Sequence, residues 1–450
     1  MSVSVARSIA PLSAIAALAA CIPLFPSAHA AVVLTYDVSS ESQPLPGSSA
    51  KPAQETYPLT ATLGHDYLTV EHHGTRLVYE LDKHRLLEIN LADRTYVDHS
   101  LFEDIGFRVI ELQNRLTINA ALAAAKVQQA PTPPALVEHL FSLTSEKEHT
   151  VLEEKHRHNE QIFTWQGHEL MAVSDTLLPL PAGYQAEYWR FLRYYAGGHP
   201  AIYTSLAKLN GAPATLRIVI TNASIETRTL HLMRVQETNE VPPSISDFHP
   251  KPSPSDEPYP TLSRLGADAP SIITTRSADA LRARDADAEQ HHYLDALLSQ
   301  LEANLETGNR GIDWLSSHRD PLAADEDSRK LMASLQPRSP QEAETAVQTL
   351  EALRTSAPDR RYVINVFEGN VLGQLRKPAE GEAHLLTALH TNPYLISAWF
   401  DLGGFYYSTF QLQKAWACWD AARAAHPTHP FRSGPDNFEQ RVMKEHPEFF

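Results

Sequence analysis

Seven prolines fall within residues 242–260, with Ser, Asp and Lys between them. Proline lacks the amide hydrogen and fixes its own backbone angle, so neither a helix nor a central strand runs through such a stretch. The chain must therefore fold as two bodies joined by an extended linker. At 450 residues it is long enough for two or three domains, and 43% hydrophobic residues supply the cores. The hydrophobic period differs on the two sides of the prolines.

Before them the pattern is that of strands. Tyr67–His72 alternates apolar and polar residues, Gly74 marks a turn, and Arg76–Asp82 alternates again. Leu86–Leu91 follows, then an Ala92-Asp93 turn and Arg94–Val97. Period-two runs of six or seven residues between short polar breaks predict an antiparallel meander. In it Leu77, Tyr79 and Leu81 share one face, and Leu87, Ile89 and Leu91 are expected on the same core. Residues 40–55, with Pro44, Pro46, Gly47 and Pro52, read as a loop. The period then becomes three to four: Phe102, Ile105, Val109, Leu112, Leu116 and Ala120 predict an amphipathic helix that ends before Pro131. Helices are expected at 134–143, 185–195 and 200–209, and strands at 162–165, 169–174, 216–221 and 229–235. Residues 31–238 thus read as an α+β domain. Residues 239–285 read as the Pro-rich linker and a partly ordered segment, and residues 286–450 as an all-α domain that begins with a helix near His291–Leu305.

The helical part carries a 34-residue period. Gly369 and Gly403, Ala388 and Ala422, and Pro393 and Pro427 are each 34 positions apart. Trp399, Leu402, Gly403 and Tyr406, followed by Ala415, Trp419, Ala422 and Pro427, resemble the tetratricopeptide (TPR-like) signature, W-x2-L-G-x2-Y, then small, large apolar, small and Pro. The preceding copy keeps Gly369, Leu372, Leu385, Ala388 and Pro393, with Asn365 and Glu368 at large-apolar positions and Gly381 where alanine is usual. Only the second helix of a still earlier copy fits, through Ala346, Leu350, Leu353 and Pro358. The resemblance covers about residues 341–428, and helices near 291–305 and 436–445 would cap the stack. It implies a concave groove lined by the first helix of each repeat, with Val366, Asn370, Phe400 and Tyr407 facing a peptide or protein partner. The alternative is that these aromatics pack against a cap or the other domain.

The stretch Asp66–Tyr96, with Leu-Val-Tyr-Glu-Leu-Asp and Leu-Leu-Glu-Ile-Asn-Leu, is similar in style to the periplasmic lipoprotein-carrier (LolA-like) group. That resemblance implies an incomplete β-barrel closed by helices around an apolar cavity, suited to an acyl chain or other hydrophobic ligand. A dry core is the competing expectation.

Arg7 is the only charge before Asp37, an apolar run spans Ile9–Phe25, and Ala28-His29-Ala30 places small residues at −3 and −1 of a signal-peptidase site. This is the layout of a secretory signal peptide over residues 1–30, cleaved after Ala30. Leu18-Ala19-Ala20-Cys21 also resembles a lipobox, so a lipoprotein anchored at Cys21 is the alternative. A periplasmic or secreted protein without a transmembrane segment follows, with Cys418 as its one thiol and no disulfide.

The net charge of −16, from 54 acidic against 38 basic residues, disfavours phosphate-backbone binding, so no nucleic-acid partner is expected. Residues 279–351 alone hold 15 acidic and 7 basic residues, read as a solvated helical surface. No Gly-x-Ser-x-Gly elbow or P-loop is present. His168-Glu169 lacks a second zinc-protease histidine, and His156-Arg157-His158 lies in a charged hairpin, so no metal, cofactor or catalytic residue is assigned. The expected function is a non-enzymatic adaptor for a protein or peptide; the alternative is a periplasmic carrier of a lipid or other hydrophobic ligand in the α+β domain.

Overall fold

The computed structural model describes residues 30–45, 51–126, 132–144, 151–222, 224–239 and 244–450. The signal-peptide and lipobox readings, with Ala28 and Cys21, fall outside the described residues. Ala30 opens the first strand.

The first half is built on one large sheet. Its strands are β1 (Ala30–Pro44), β2 (Ala53–Leu63), β3 (Tyr67–His72), β4 (Thr75–Glu80), β5 (Arg85–Asn90) and β6 (Thr95–Ser100). Helices α1 (Leu101–Ala124) and α2 (Pro134–Phe141) follow. Then come β7 (Glu153–Arg157), β8 (Glu160–Trp165), β9 (His168–Ser174) and β10 (Leu177–Leu178), helices α3 (Gln185–Tyr195) and α4 (Pro200–Leu206), β11 (Ala212–Pro213), β12 (Thr215–Thr221), β13 (Ser224–Asn239) and β14 (His249–Pro250). Twelve of these strands form a single sheet in the order β14-β6-β5-β4-β3-β2-β1-β13-β12-β9-β8-β7, and β10 pairs separately with β11. All neighbours in the large sheet are antiparallel except β14 beside β6.

The long β1–β13 pair forms the centre. Val32, Leu34, Tyr36 and Val38 alternate along β1 and are buried; Leu63, Ala61, Leu59 and Tyr57 of β2 stand opposite them in register. Residues at every second position share a face, so this row is the wall on which the helices pack. Leu101, Phe102, Ile105, Val109 and Leu112 of α1 recur at helical spacing and are buried. The Ser100 hydroxyl caps the helix by accepting from the Phe102 amide at 3.3 Å. From α3, Tyr188, Phe191 and Leu192 join the same core.

The meander register corrects one expectation. Val78 pairs with Leu87 and Tyr79 with Leu86, so Leu87 and Ile89 lie on the face opposite Tyr79. That second face has its own small cluster of Val78, Leu87 and Ile89, covered by Tyr96, Ile245 and Phe248. The Pro-rich segment is thus held against the sheet: the His249 and Lys251 amides donate to the Arg94 and Tyr96 carbonyls at 2.9 and 2.7 Å. Edge pairing suits it because proline needs no donor on its outer side.

The second half is helical throughout: α5 (Tyr259–Leu262), α6 (Ala269–Glu289), α7 (Tyr293–Thr307), α8 (Ile312–Ser317), α9 (Arg319–Ala324), α10 (Glu326–Ser334), α11 (Pro340–Ser356), α12 (Arg361–Gln374), α13 (Pro378–Thr391), α14 (Ile396–Ser408), α15 (Leu412–Ala425) and α16 (Ser433–Glu445). Residues 269–285, expected only as partly ordered, form most of α6. This helix packs against α7, and Arg276 reaches the buried Glu306 carboxylate of α7 at 3.1 Å. Its apolar positions are too sparse to signal a helix by periodicity, and the polar contact with α7 supplies what the pattern lacks.

The halves meet along α1 and at the chain's last residues. A side chain at Gly106 would press on Trp416 of α15 and Phe438 of α16. Arg85 bonds Asp420 at 2.6 Å.

Candidate functional site: an aromatic pocket in the helical half

The hairpin α14–α15 is packed by the residues that carry the 34-residue period. A Cβ on Gly403 would overlap the Trp419 indole, so only glycine lets these helices approach there. The Trp419 Nε1 donates to the Phe400 carbonyl at 3.1 Å, and the Trp399 Nε1 to the Pro393 carbonyl at 2.8 Å. Trp399, Leu402, Tyr406, Ala415 and Ala422 are fully buried, and the Tyr406 hydroxyl donates to Glu382 of α13 at 3.0 Å. In α12–α13, Gly369 faces the Gly381 carbonyl and Leu385 in the same way, and Ala388 is buried in that hairpin. Pro393 and Pro427 follow the ends of α13 and α15.

The four residues expected to line a groove part company. Val366 is fully buried and belongs to the core, so it is not a surface residue. Asn370 is spent within the fold: its Nδ2 donates to Asp401 Oδ2 at 2.7 Å, tying α12 to α14. Phe400 and Tyr407 do come together, on the wall of a pocket of about 520 Å³. The Phe400 ring stacks on His429 at 5.4 Å, and Tyr407 packs edge-on against Phe438 at 5.5 Å. The far wall comes from α16 and the turn before it, through Phe431, Gly434, Pro435, Phe438 and Arg441. The capping segment therefore narrows the expected groove to a pocket.

Asp401, Phe431, Phe438 and Arg441 escaped the sequence reading. Asp401 directly follows Phe400 on α14. The other three lie beyond the 34-residue period, where no spacing places them.

Electrostatically the pocket is unusual in its carboxylate. Burial pushes Asp401 up to about 6, against the hydrogen bond from Asn370, and no cation among the described residues pairs with it. The Arg441 guanidinium lies over the Phe438 ring at 5.4 Å, at the exposed rim. Burial pulls His429 down to about 4, so it is neutral near pH 7. Cys418 is fully buried with its thiol raised well above the ordinary range by burial, which leaves no reactive thiolate.

A second slot lies between α1 and α3. It holds Phe449, which is fully buried, with its ring edge-on to Tyr194 at 5.3 Å and under the Arg108 guanidinium at 5.4 Å. Phe450 stacks on Phe102 at 5.3 Å. The Tyr194 hydroxyl and Arg190 donate to the Phe449 and Phe450 carbonyls at 2.7 and 2.8 Å. The histidines of the 153–168 hairpin, His156, His158 and His168, are exposed, and the described residues contain no group of three or more metal-ligating side chains.

No family model matches the sequence, and no curated protein matches it. Among solved structures, a chain of lipovitellin, described for its lipid–protein interactions, aligns with 94% of this chain and 56% of its own length at 12% identity. Its TM-score is 0.19, too low for the likeness to carry an argument, and this chain spans about half of that one.

Proposed function

We propose that this protein is an exported, non-enzymatic adaptor that holds a peptide or protein partner in the aromatic pocket of a TPR-like helical stack. The observation that carries the reading is the meeting of Phe400 and Tyr407 in one open pocket beside hairpins whose close approaches fall at the repeat's glycines. Catalytic machinery is not part of this reading. Gly404 lines the pocket with open space where its Cβ would stand, so Gly404→Leu fills the pocket without disturbing the core. It also replaces a helix-interior glycine, a change worth ~0.8 kcal/mol in favour of the helix. Crosslinking pull-downs from envelope extracts should show partners held by the parent chain and lost from the Gly404→Leu chain. Identical capture by both overturns the pocket's role. Export predicts a mature amino terminus at Ala31; a diacylglyceryl group on Cys21 would instead establish the lipoprotein form.

A second reading is supported by the slot between α1 and α3. It already accepts two aromatic rings of the chain itself, Phe449 and Phe450, beside a large sheet walled with helices. A slot that seats aromatic rings in this way suits a carrier of a lipid or other hydrophobic ligand, as a LolA-like half-barrel would be. Native mass spectrometry of the whole exported chain should then show a co-purifying lipid, and a clean apo mass across preparations removes this reading.

A further inference from the structure

The pocket has a chemical preference written into its walls. Five rings line it, those of Phe400, Tyr407, Trp419, Phe431 and Phe438, with one carboxylate, Asp401. The face of an aromatic ring is electron-rich and attracts cations. Asp401 is charged near neutral pH, accepts one hydrogen bond from Asn370, and meets no cation among the described residues. A neutral apolar occupant would strip more water from this carboxylate and raise the cost of its charge; an anionic occupant would add repulsion. A cation on an apolar stem relieves both problems. The fold supplies an example of the pairing, since Arg441 lays its own guanidinium over Phe438 at the rim.

We propose that the pocket receives the basic side chain, lysine or arginine, of an extended peptide partner, with its alkyl stem against the rings and its charged head beside Asp401. The proposal rests on the adaptor reading above and names the partner chemistry of that same pocket. Size agrees, because 520 Å³ takes a long side chain with part of its backbone. Access agrees, because Gly404 and Gly434 leave open space where side chains would project. The other charged or titratable groups of the pocket do not defeat it. Arg441 is exposed, so water and salt screen it, and His429 is kept neutral by burial.

The test uses the whole exported chain and capped pentapeptides Ac-Ala-Ala-X-Ala-Ala-NH2, with X as Arg, Lys, norleucine or Glu, titrated by calorimetry and by intrinsic tryptophan fluorescence at low salt. The Arg and Lys peptides should bind about tenfold or more tighter than the norleucine peptide, and the Glu peptide weakest. Asp401→Asn keeps the acceptor for Asn370 and removes the charge; it should bring Arg and Lys to within about twofold of norleucine. Gly404→Leu should abolish binding of every peptide. If norleucine binds as tightly as Arg and Gly404→Leu blocks both, the cation preference is wrong while the pocket reading stands. If no peptide binds, or if Gly404→Leu leaves binding intact, the pocket reading falls and the cation proposal with it.

Discussion

His139 and Glu306 are both buried ionisable groups, one in the sheet half and one in the helical half, and they are held in opposite ways. His139 uses both ring nitrogens: Nδ1 accepts from the His199 amide at 2.9 Å and Nε2 donates to the Val219 carbonyl at 3.1 Å. Its neighbours Glu138 and His199 are joined at 3.0 Å. Burial first, then nearby His199, pulls His139 down to about 3. Glu306 is equally buried, yet only one of its oxygens is satisfied, by Arg276 and Asn392, while Oε2 has no partner. Burial pushes it up to about 7, and the adjacent Glu302 adds to the rise. Asp401 repeats the pattern at the pocket. Around His139 the sheet half pairs both ring nitrogens with backbone groups. In the helical half Glu306 shares its one cation, Arg276, with Glu302, and Asp401 pairs with none among the described residues, so the raised carboxylates weaken the fold above neutral pH.

The sharpest break in this comparison is one of packing. Trp399→Ala removes a fully buried indole and its bond to Pro393 from the helical half. It should cost that half about 4 kcal/mol, seen as faster hydrogen exchange in α12–α15 with the sheet peptides unchanged. Equal acceleration in both halves would show one cooperative unit.

Charge gives the next largest effects. The folded pKa of Glu306 is raised above its unfolded value, so the stability tied to its proton is present below about pH 4.5 and is lost as pH rises through about 7. Glu306→Gln should therefore stabilise the helical half by on the order of 3 kcal/mol near pH 8 and by almost nothing near pH 4. A gain that does not vary with pH would mean the carboxylate is already neutral or well paired. His429, pulled down to about 4, slopes the other way, so the variant must be read against its parent at each pH. For His139 the sign reverses. Its folded pKa is lowered, so its stability is full above about 6.5 and is lost as pH falls toward 3. Between pH 7.5 and 5 the sheet half should lose about 2 kcal/mol, because protonating Nδ1 sets it against the His199 amide. His139→Asn keeps an acceptor near that amide and cannot protonate, so it should flatten the loss; an unchanged slope would assign it to other groups.

Much of the architecture was legible before any coordinates. Strands and the long first helix follow from period and composition, because alternation and helical spacing report directly on which face is buried. The cross-strand register was not legible: Leu87 and Ile89 turned to the second face because the β4–β5 pairing, and not each strand's own alternation, decides which rows align. Helix α6 was missed because its apolar residues are sparse and its anchor is a salt link to Glu306. At the site, Phe400 and Tyr407 were legible through the repeat period, whereas Val366 was displaced into the core. Asp401 and the rings of Phe431 and Phe438 were illegible, since a partner wall supplied by a distant capping segment leaves no mark in local spacing.

The smallest expected effect concerns how the halves are joined. Arg85, on β5, bonds both Asp98 at 2.8 Å and Asp420 of α15 at 2.6 Å, so a charge link visibly spans the junction. These side chains remain about a quarter to a half exposed, and an exposed ion pair is weakened by water, by salt and by the entropy of holding two long side chains. After Asp420→Asn, Arg85 keeps Asp98 and is not left buried without a partner. The variant should therefore cost at most ~0.5 kcal/mol, and less at high salt. The apolar part of the junction is of another kind: Phe449 is fully buried against Tyr194, and Gly106 brings α1 onto Trp416. Measured coupling between the two unfolding transitions should thus survive Asp420→Asn and high salt together. Coupling that disappears in either condition would place the joint in the charges, and would make the halves separable bodies steered together by electrostatics.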